Sequence, residues 1–477
     1  FKQKTAYEML RSLVGSEMCI RDRANIQLQA LAESELVAEA NANIAQKIRS
    51  LAKSAASGSR RDRSRMAVET RAFESMILRA ANLVFATTNS AAIESLIDER
   101  GFFDWSIVEE AGKATGGELL SPMLLSHRRL MIGDHKQLPP YGADRLEKLL
   151  TDPASVRSAV AAAENLIERS LKDPAIEEIF DEVEDNQIDY GRLCGGTLEI
   201  LNLFATLVDA ELAPRPGKPL REPIARRLDE QHRMHPAIAQ IVSACFYGGT
   251  LRTNDKKAAE YRTETPPFQF VAGGALPDKP VVFVDMPWGR EQTGYKGGDR
   301  GPAWANADEA KAVVEVLSRV RAARGTAPSL AVLSPYRQQV KLLSREVEQL
   351  QTGYLKHLAA FRPAVGNQEF CGTVDSFQGD QADLVIISMV RNNGHASPAK
   401  ALGFLRDNRR MNVLLSRAKW RLVIIGSLRF YESVANVAAS LTDSDIGFLK
   451  IFLEQLKSVE AAGDAGIVPW ARLGARR

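Results

Sequence analysis

The stretch "LAVLSPYRQQVKLLSREVEQL", residues 330–350, is where the fold is decided. An apolar run ends at a Ser-Pro-Tyr break and passes directly into a helical stretch over about 336–350, which is one strand-then-helix unit. The same alternation recurs along the chain. "NLVFATT", "FDWSIVEE" and "RRLMIGD" form a first group of expected strands, and "VVFVD", "LAVLSPY", "CGTVDS", "DLVIISMV" and "RLVIIGS" a second. Helical stretches at about 303–323, 336–350 and 407–418 lie between members of the second group. Strands that are nearly continuous in apolar character argue for parallel sheets covered on both faces. Two groups of strands imply two α/β domains.

The 477 residues are enough for roughly two to four domains. With 45% hydrophobic and 25% charged residues the composition is that of a globular chain, and no apolar run approaches the roughly 20 residues needed to span a bilayer. A membrane partner is not expected. The net charge of +3 is too small to argue for nucleic acid, although basic residues cluster in "SRRDRSR" (59–65), "RDNRRMN" and "SRAKWR". Cys19, Cys194, Cys245 and Cys371 show no CxxC spacing, which speaks against a zinc site or disulfide framework and for a reducing compartment, cytoplasmic or nuclear.

Residues 1–23 fit poorly with the remainder of the chain and read as a translated sequencing-adaptor or assembly scar; acids and arginines stand where a secretory signal would be apolar. Residues 24–79 read as a helical hairpin or accessory remnant. The first domain is expected over 80–228, interrupted by an acidic helical insertion at 144–200, and the Pro-rich "APRPGKPLREP" (213–223) leads into the second domain, 229–440. A C-terminal helix and tail occupy 441–477.

A nucleotide motor needs one acid at a strand end for the magnesium shell and a second to orient or deprotonate the attacking water. "SIVEE" supplies Glu109 and Glu110, which could equally be a solvated strand end. About twenty residues later "RRLMIGDHKQLPPY" gives another strand ending in Gly133 and Asp134, then Gln137, a neutral amide able to sense a terminal phosphate. In "LDEQHRMHPAIAQIVSACFYGGTL" (228–251), Arg233 precedes a Pro-started helix and could reach across to neutralise charge on a transferred phosphoryl group. His232 and His235 form HxxH, a weak metal signal without further ligands nearby. In "GFLRDNRRMNVLLSRAKWRLVIIGS" (403–427), Arg417 precedes a buried strand as a candidate second finger, while Arg409 and Arg410 have the bland reading of a solvated helix face.

These stretches, with "CGTVDSFQGDQADLVIISMVRNN" (371–393), resemble in sequence, order and spacing the motifs of superfamily 1 helicases of the senataxin and nonsense-mediated-decay type, from "NLVFATTNSAAI" to "RLVIIGS". The resemblance implies a P-loop NTPase-type α/β fold with two RecA-like parallel-sheet domains, the first incomplete here, flanked by a helical N-terminal segment. It implies ATP and Mg2+ between the domains, and single-stranded DNA or RNA running across both, typically with 5′ to 3′ movement. Glu110 then resembles the general base, Glu109 the magnesium-shell acid, Gln137 the γ-phosphate sensor, and Arg233 and Arg417 the arginine fingers. Asp134 matches the acid of a "GDxxQL" motif that would link the lobes. Ser334, Pro335, Tyr336, Thr373 and Arg391 fall where the family contacts the strand or couples it to ATP.

Three positions depart from that pattern. Glu109 stands where Asp is usual, His232 where a Tyr stacks on adenine, and Gln381 where a Glu contacts ribose. GxxxxGK[ST] occurs nowhere in the sequence; "AGKA" (111–114) and "PGKP" (216–219) lack its spacing and its Ser/Thr. Truncation upstream is the expected reason, and the polypeptide as given is expected to be inactive alone. The competing reading is a catalytically degenerate, nucleic-acid-binding scaffold of helicase shape.

Overall fold

The computed structural model describes residues 81–90, 103–164, 189–213, 222–271, 275–289, 298–299, 304–366, 369–440 and 446–474. The reading of 1–23 and of the hairpin at 24–79 falls outside them, as does the middle of the 144–200 insertion. The chain divides into two compact units, 1–90 and 91–477. In the first, "NLVFATT" is expected as a strand, but residues 83–87 have no regular structure and lie between a bend at Asn82 and a turn at Thr88–Asn89. A strand exists only through its ladder, and the described residues of that unit offer it none.

The second unit opens with β1 (Ser106–Val108), α1 (Gly116–Leu124) and β2 (Arg129–Met131), followed by four helices, α2 (Ala143–Leu150), α3 (Pro153–Glu164), α4 (Tyr190–Leu201) and α5 (Leu203–Leu212). β1 and β2 pair in parallel, with Ile107 opposite Leu130. Thr115 starts α1 with a capping box, its hydroxyl accepting from the Glu118 N–H while Glu118 reaches back to the Thr115 N–H. Val108, Ala111, Leu119 and Phe204 form a small core under this first lobe. The insertion contributes helices and no strand among the described residues.

The second lobe runs β3 (Glu230–Gln231), α6 (Pro236–Phe246), β4 (Arg252–Thr253), α7 (Asp255–Thr263), β5 (Phe268–Phe270), β6 (Val281–Asp285), α8 (Ala307–Ser318), β7 (Val320–Ala322), β8 (Ser329–Ser334) and α9 (Arg337–Gln351). It continues through β9 (Arg362–Pro363), β10 (Cys371–Thr373), β11 (Ala382–Ser388), α10 (Pro398–Leu402), α11 (Asn408–Leu415), β12 (Ala418–Gly426), α12 (Leu428–Ser440), α13 (Gly447–Ala461) and β13 (Ala465–Pro469). The large sheet has the order β10-β8-β11-β12-β6-β13, with β9 on β8, and every pairing in it is parallel.

Its apolar runs are continuous because both faces are covered. Phe283, Ala331, Leu333, Val385, Ile387, Leu422 and Ile424 enter one core with α6, α11, α12 and α13. Val282, Val284, Leu330, Val332, Leu384, Ile386, Val423 and Ile425 enter the other with α8 and α9. Strict alternation of neighbours between two cores is the period-2 signature of a strand. The structure corrects the boundary drawn at 440. α13 buries Phe448, Phe452 and Leu456 against the first core, and Gly463, at φ 84°, turns the chain into β13 beside β6. The last helix and strand are therefore part of the second lobe. Among the described residues no single helix is long and apolar enough to cross a membrane.

Candidate functional site

The site lies where loops after β1 and β2 meet the second lobe. Beyond the strand ends the ladder continues: the Ile132 N–H donates to the Val108 carbonyl (2.8 Å) and the Ala111 N–H to the Ile132 carbonyl (2.9 Å). The loops run so close that a Cβ on Gly133 would sit 2.7 Å from the Gly112 nitrogen, so glycine is required there. Glu109 and Glu110 turn out of β1 and are exposed. Glu110 adopts the left-handed region (φ 53°, ψ 35°), a conformation costing a non-glycine residue about 1–3 kcal/mol. It is held by the Lys113 N–H on its carbonyl (2.8 Å), and its carboxylate lies 3.5 Å from the Lys113 ammonium.

Asp134 organises the second loop. Its Oδ1 accepts from the Lys136 N–H (3.0 Å), while Oδ2 accepts from the Gln137 Nε2 (2.9 Å) and the Tyr247 hydroxyl (2.5 Å). Gln137 Oε1 accepts in turn from Arg417 Nη2 at 2.9 Å. A carboxylate only accepts and a guanidinium only donates, so the polarity of the Gln137 amide is fixed. Asn412 Nδ2 donates to the Tyr247 oxygen (2.8 Å) and the Lys136 carbonyl (2.9 Å). Asp134 thus bonds to Tyr247 of the second lobe.

Arg233 sits on a loop tied down from several sides. The Gln231 side-chain oxygen accepts from the N–H groups of Arg233 (2.8 Å) and Met234 (2.7 Å), and the Tyr261 hydroxyl donates to the Arg233 carbonyl (2.5 Å). Burial lowers the Arg233 pKa, and the Glu110 carboxylate opposes that shift. Arg417 is 1% exposed and donates through Nε to the Val413 carbonyl (2.9 Å). Burial first, then the neighbouring Arg233 charge, lowers its pKa to about 9, with Glu110 acting in the opposite sense. It remains a cation at neutral pH. Two arginines of one lobe therefore converge on an acid and an amide of the other.

The remaining expected residues are dispersed. His232 is exposed, with Nε2 3.5 Å from Glu230, and Gln381 is half-buried before β11. His235 is a helix cap: its Nδ1 accepts from the Ala237 N–H (3.2 Å), and burial pushes its pKa down to about 4. Among the described residues no three His, Cys, Asp or Glu side chains are grouped to hold a metal.

Of the five residues expected to contact the strand or couple it to ATP, three are enclosed. Ser334, Tyr336 and Arg391 are buried (0%, 4% and 1% exposed), so their side chains are enclosed by protein. Tyr336 donates to the Leu402 carbonyl (3.2 Å) and packs edge-on to Phe404, whereas Arg391 pairs with Asp299 (2.6 Å) and stacks 4.0 Å over Trp304. Tyr336 and Arg391 thereby tie Asp299 and Trp304 to residues 401–404. Pro335 and Thr373 are partly exposed.

Sequence reasoning missed Tyr247, Asn412 and Gln231, and gave Arg410 a solvated face. Arg410 instead reaches Asp407 (2.6 Å), Asp375 (3.6 Å) and Asp144 (3.7 Å), tying α2 to the second lobe. The available signal was a polar residue inside the apolar "MNVLL", which places Asn412 on a buried helix.

The chain matches the AAA domain family twice, at residues 2–142 and 202–429; the first match takes in residues 2–23 as well. It is 27% identical over 359 residues to the "Regulator of nonsense transcripts 1 homolog" of Arabidopsis thaliana, covering 75% of this chain and 22% of that protein. To "Helicase SEN1" of Saccharomyces cerevisiae it is 24% identical over 367 residues, 76% of this chain and 13% of that protein. To "DNA replication ATP-dependent helicase/nuclease DNA2" of Mus musculus it is 26% identical over 359 residues, 72% of this chain and 26% of that protein. The chain thus spans about a quarter or less of the length of these curated relatives. The paired matches and the named relatives agree with the doubly covered parallel sheet: the chain belongs to the superfamily 1 helicases of the nonsense-mediated-decay and senataxin family.

Proposed function

We propose that this chain is part of an ATP-dependent helicase or translocase that couples ATP hydrolysis to movement on single-stranded DNA or RNA. The observation that carries the reading is the meeting of Arg417 with Gln137 at 2.9 Å, with Arg233 set electrostatically against Glu110. In hydrolysis, water attacks the γ-phosphorus, the bond from that phosphorus to the β,γ-bridging oxygen breaks, and the water proton passes to a base. Glu110 takes that proton, Gln137 orients the water, and Arg233 and Arg417 offset charge on the phosphoryl oxygens. Glu109 supplies a hard oxygen donor suited to Mg2+, which binds few protein ligands and keeps water and phosphate oxygens. Bound Mg2+ would offset charge on the β- and γ-phosphates.

The exposed edges of this site bind a strand through backbone contacts, without reading sequence. The 477-residue polypeptide, having no GxxxxGK[ST], hydrolyses ATP weakly or not at all; robust Mg2+-dependent turnover by it would overturn that statement. The full-length gene product is expected to hydrolyse ATP in response to single strands, and Glu110→Gln to abolish turnover while sparing ATP binding. A full-length protein that binds strands without stimulated hydrolysis would instead be a scaffold.

A further inference from the structure

Gln137 does not stand alone: every group that orients it is itself held by the second lobe. Asp134 Oδ2 receives two donors, Gln137 Nε2 at 2.9 Å and the Tyr247 hydroxyl at 2.5 Å. Tyr247 lies just past the C-terminus of α6, largely buried, and its hydroxyl oxygen also accepts from Asn412 Nδ2 at 2.8 Å. The other Asn412 N–H bond goes to the Lys136 carbonyl, an acceptor only, so the amide cannot be flipped. Asn412 Oδ1 is consequently buried with no partner, a desolvation cost that an apolar residue at this position would avoid.

We propose that Tyr247 and Asn412 are positioning residues for the hydrolysis reaction: a latch from the second lobe that grips the 134–137 loop by Asp134 and the Lys136 carbonyl. Through Asp134 it fixes the Gln137 amide with its NH2 inward and its carbonyl toward the phosphate side. This rests on the reading of Gln137 as the water-orienting group. The geometry also makes Arg417 a competitor. Its Nη2 occupies the Gln137 carbonyl, the same oxygen that would accept a hydrogen bond from attacking water. When a terminal phosphate draws Arg417 away, the carbonyl is released already aimed, because the latch holds the opposite end of the amide. Tyr247 and Asn412 thereby link closure of the lobes to the orientation of one amide.

The test has two arms. In the 477-residue chain, amide hydrogen exchange is compared for wild type, Tyr247→Phe, Asn412→Ala, Asp134→Asn and the double variant Tyr247→Phe/Asp134→Asn. Exchange at 134–138 should rise roughly tenfold to a hundredfold in each single variant, as expected for loss of a hydrogen bond to a charged group or its support. Exchange in β11 should stay unchanged, and the double variant should be no faster than the faster single one. Unchanged exchange at 134–138, a rise throughout β11, or additive effects would overturn the latch. In the full-length gene product, Tyr247→Phe should lower strand-stimulated kcat about tenfold or more, with the KM for ATP within about twofold of wild type. Faster exchange with an unaltered kcat would overturn the positioning role. If the wild-type gene product does not hydrolyse ATP, the functional reading fails and the positioning role with it, and the exchange arm alone then decides whether the latch exists.

Discussion

Glu309 gives the sharpest stability prediction. It lies on α8, fully enclosed, where it accepts hydrogen bonds from the Ser388 hydroxyl (2.7 Å), the Val390 N–H (2.8 Å) and Asn306 Nδ2 (3.3 Å). Those donors favour the carboxylate, yet burial outweighs them and nearby Asp299 pushes the same way as burial, raising the pKa from 4.5 to about 8. A carboxyl with a raised folded-state pKa binds more protons folded than unfolded between those two values. Its contribution is therefore full below about pH 4.5 and is lost as the pH climbs through about 8. At about 1.4 kcal/mol for each tenfold change in proton affinity, the loss between pH 5 and pH 8.5 is roughly 4 kcal/mol. Glu309→Gln removes the titration while keeping the side-chain shape. Denaturant unfolding of both proteins at several pH values, followed by tryptophan fluorescence, should show wild type losing roughly 4 kcal/mol more than the variant across this range. Parallel pH profiles for the two proteins would refute the reasoning. The same experiment probes Val390, whose φ of 71° is strained for a β-branched residue and whose N–H is held by Glu309.

Other outcomes are as specific. Arg417→Ala should lower strand-stimulated kcat of the full-length product by at least a hundredfold, measured by phosphate release, since arginine fingers contribute about 10³ to 10⁵. Arg410→Ala removes the side chain shared by Asp144, Asp375 and Asp407, and should raise hydrogen exchange of α2 selectively, with about 1–2 kcal/mol lost from its docking. Ile386→Ala, at 0% exposure in the middle strand of the sheet, should cost about 2–5 kcal/mol by denaturant unfolding. Single-strand affinity should fall linearly on a log–log plot against salt, with a slope of about −0.7 for each phosphate neutralised; a flat response would argue against a backbone-bound strand.

The second sheet was legible because burial on both faces makes its strands long apolar runs, and each expected strand from "VVFVD" to "RLVIIGS" is present. The first lobe was less legible. "NLVFATT" has the composition of a strand, but pairing depends on a partner that composition cannot supply. β13 escaped notice because "AGIVP" is short and becomes a strand only beside β6. At the site, charge chemistry singled out Glu110, Gln137, Arg233 and Arg417. Tyr247 and Asn412 were invisible for the converse reason: an aromatic and an amide have many bland uses, and their meaning lies in what they touch 113 and 276 residues away. Arg391 is a similar case: its enclosure by Asp299 and Trp304 depends on contacts that the local sequence does not show.

The placement of β13 bears on how this protein can be handled. The parallel ladder of β6 is completed on one side by residues 465–469, and α13 lies over the apolar face nearby. Ending the polypeptide near 440, beyond the last of the motifs, would strip β6 of a hydrogen-bonding neighbour and uncover Phe246, whose ring packs against Phe448. A bare strand margin beside an exposed aromatic ring recruits other chains. Shortened versions that keep every motif residue should therefore precipitate, whereas a purification tag placed after Leu473 leaves the fold closed.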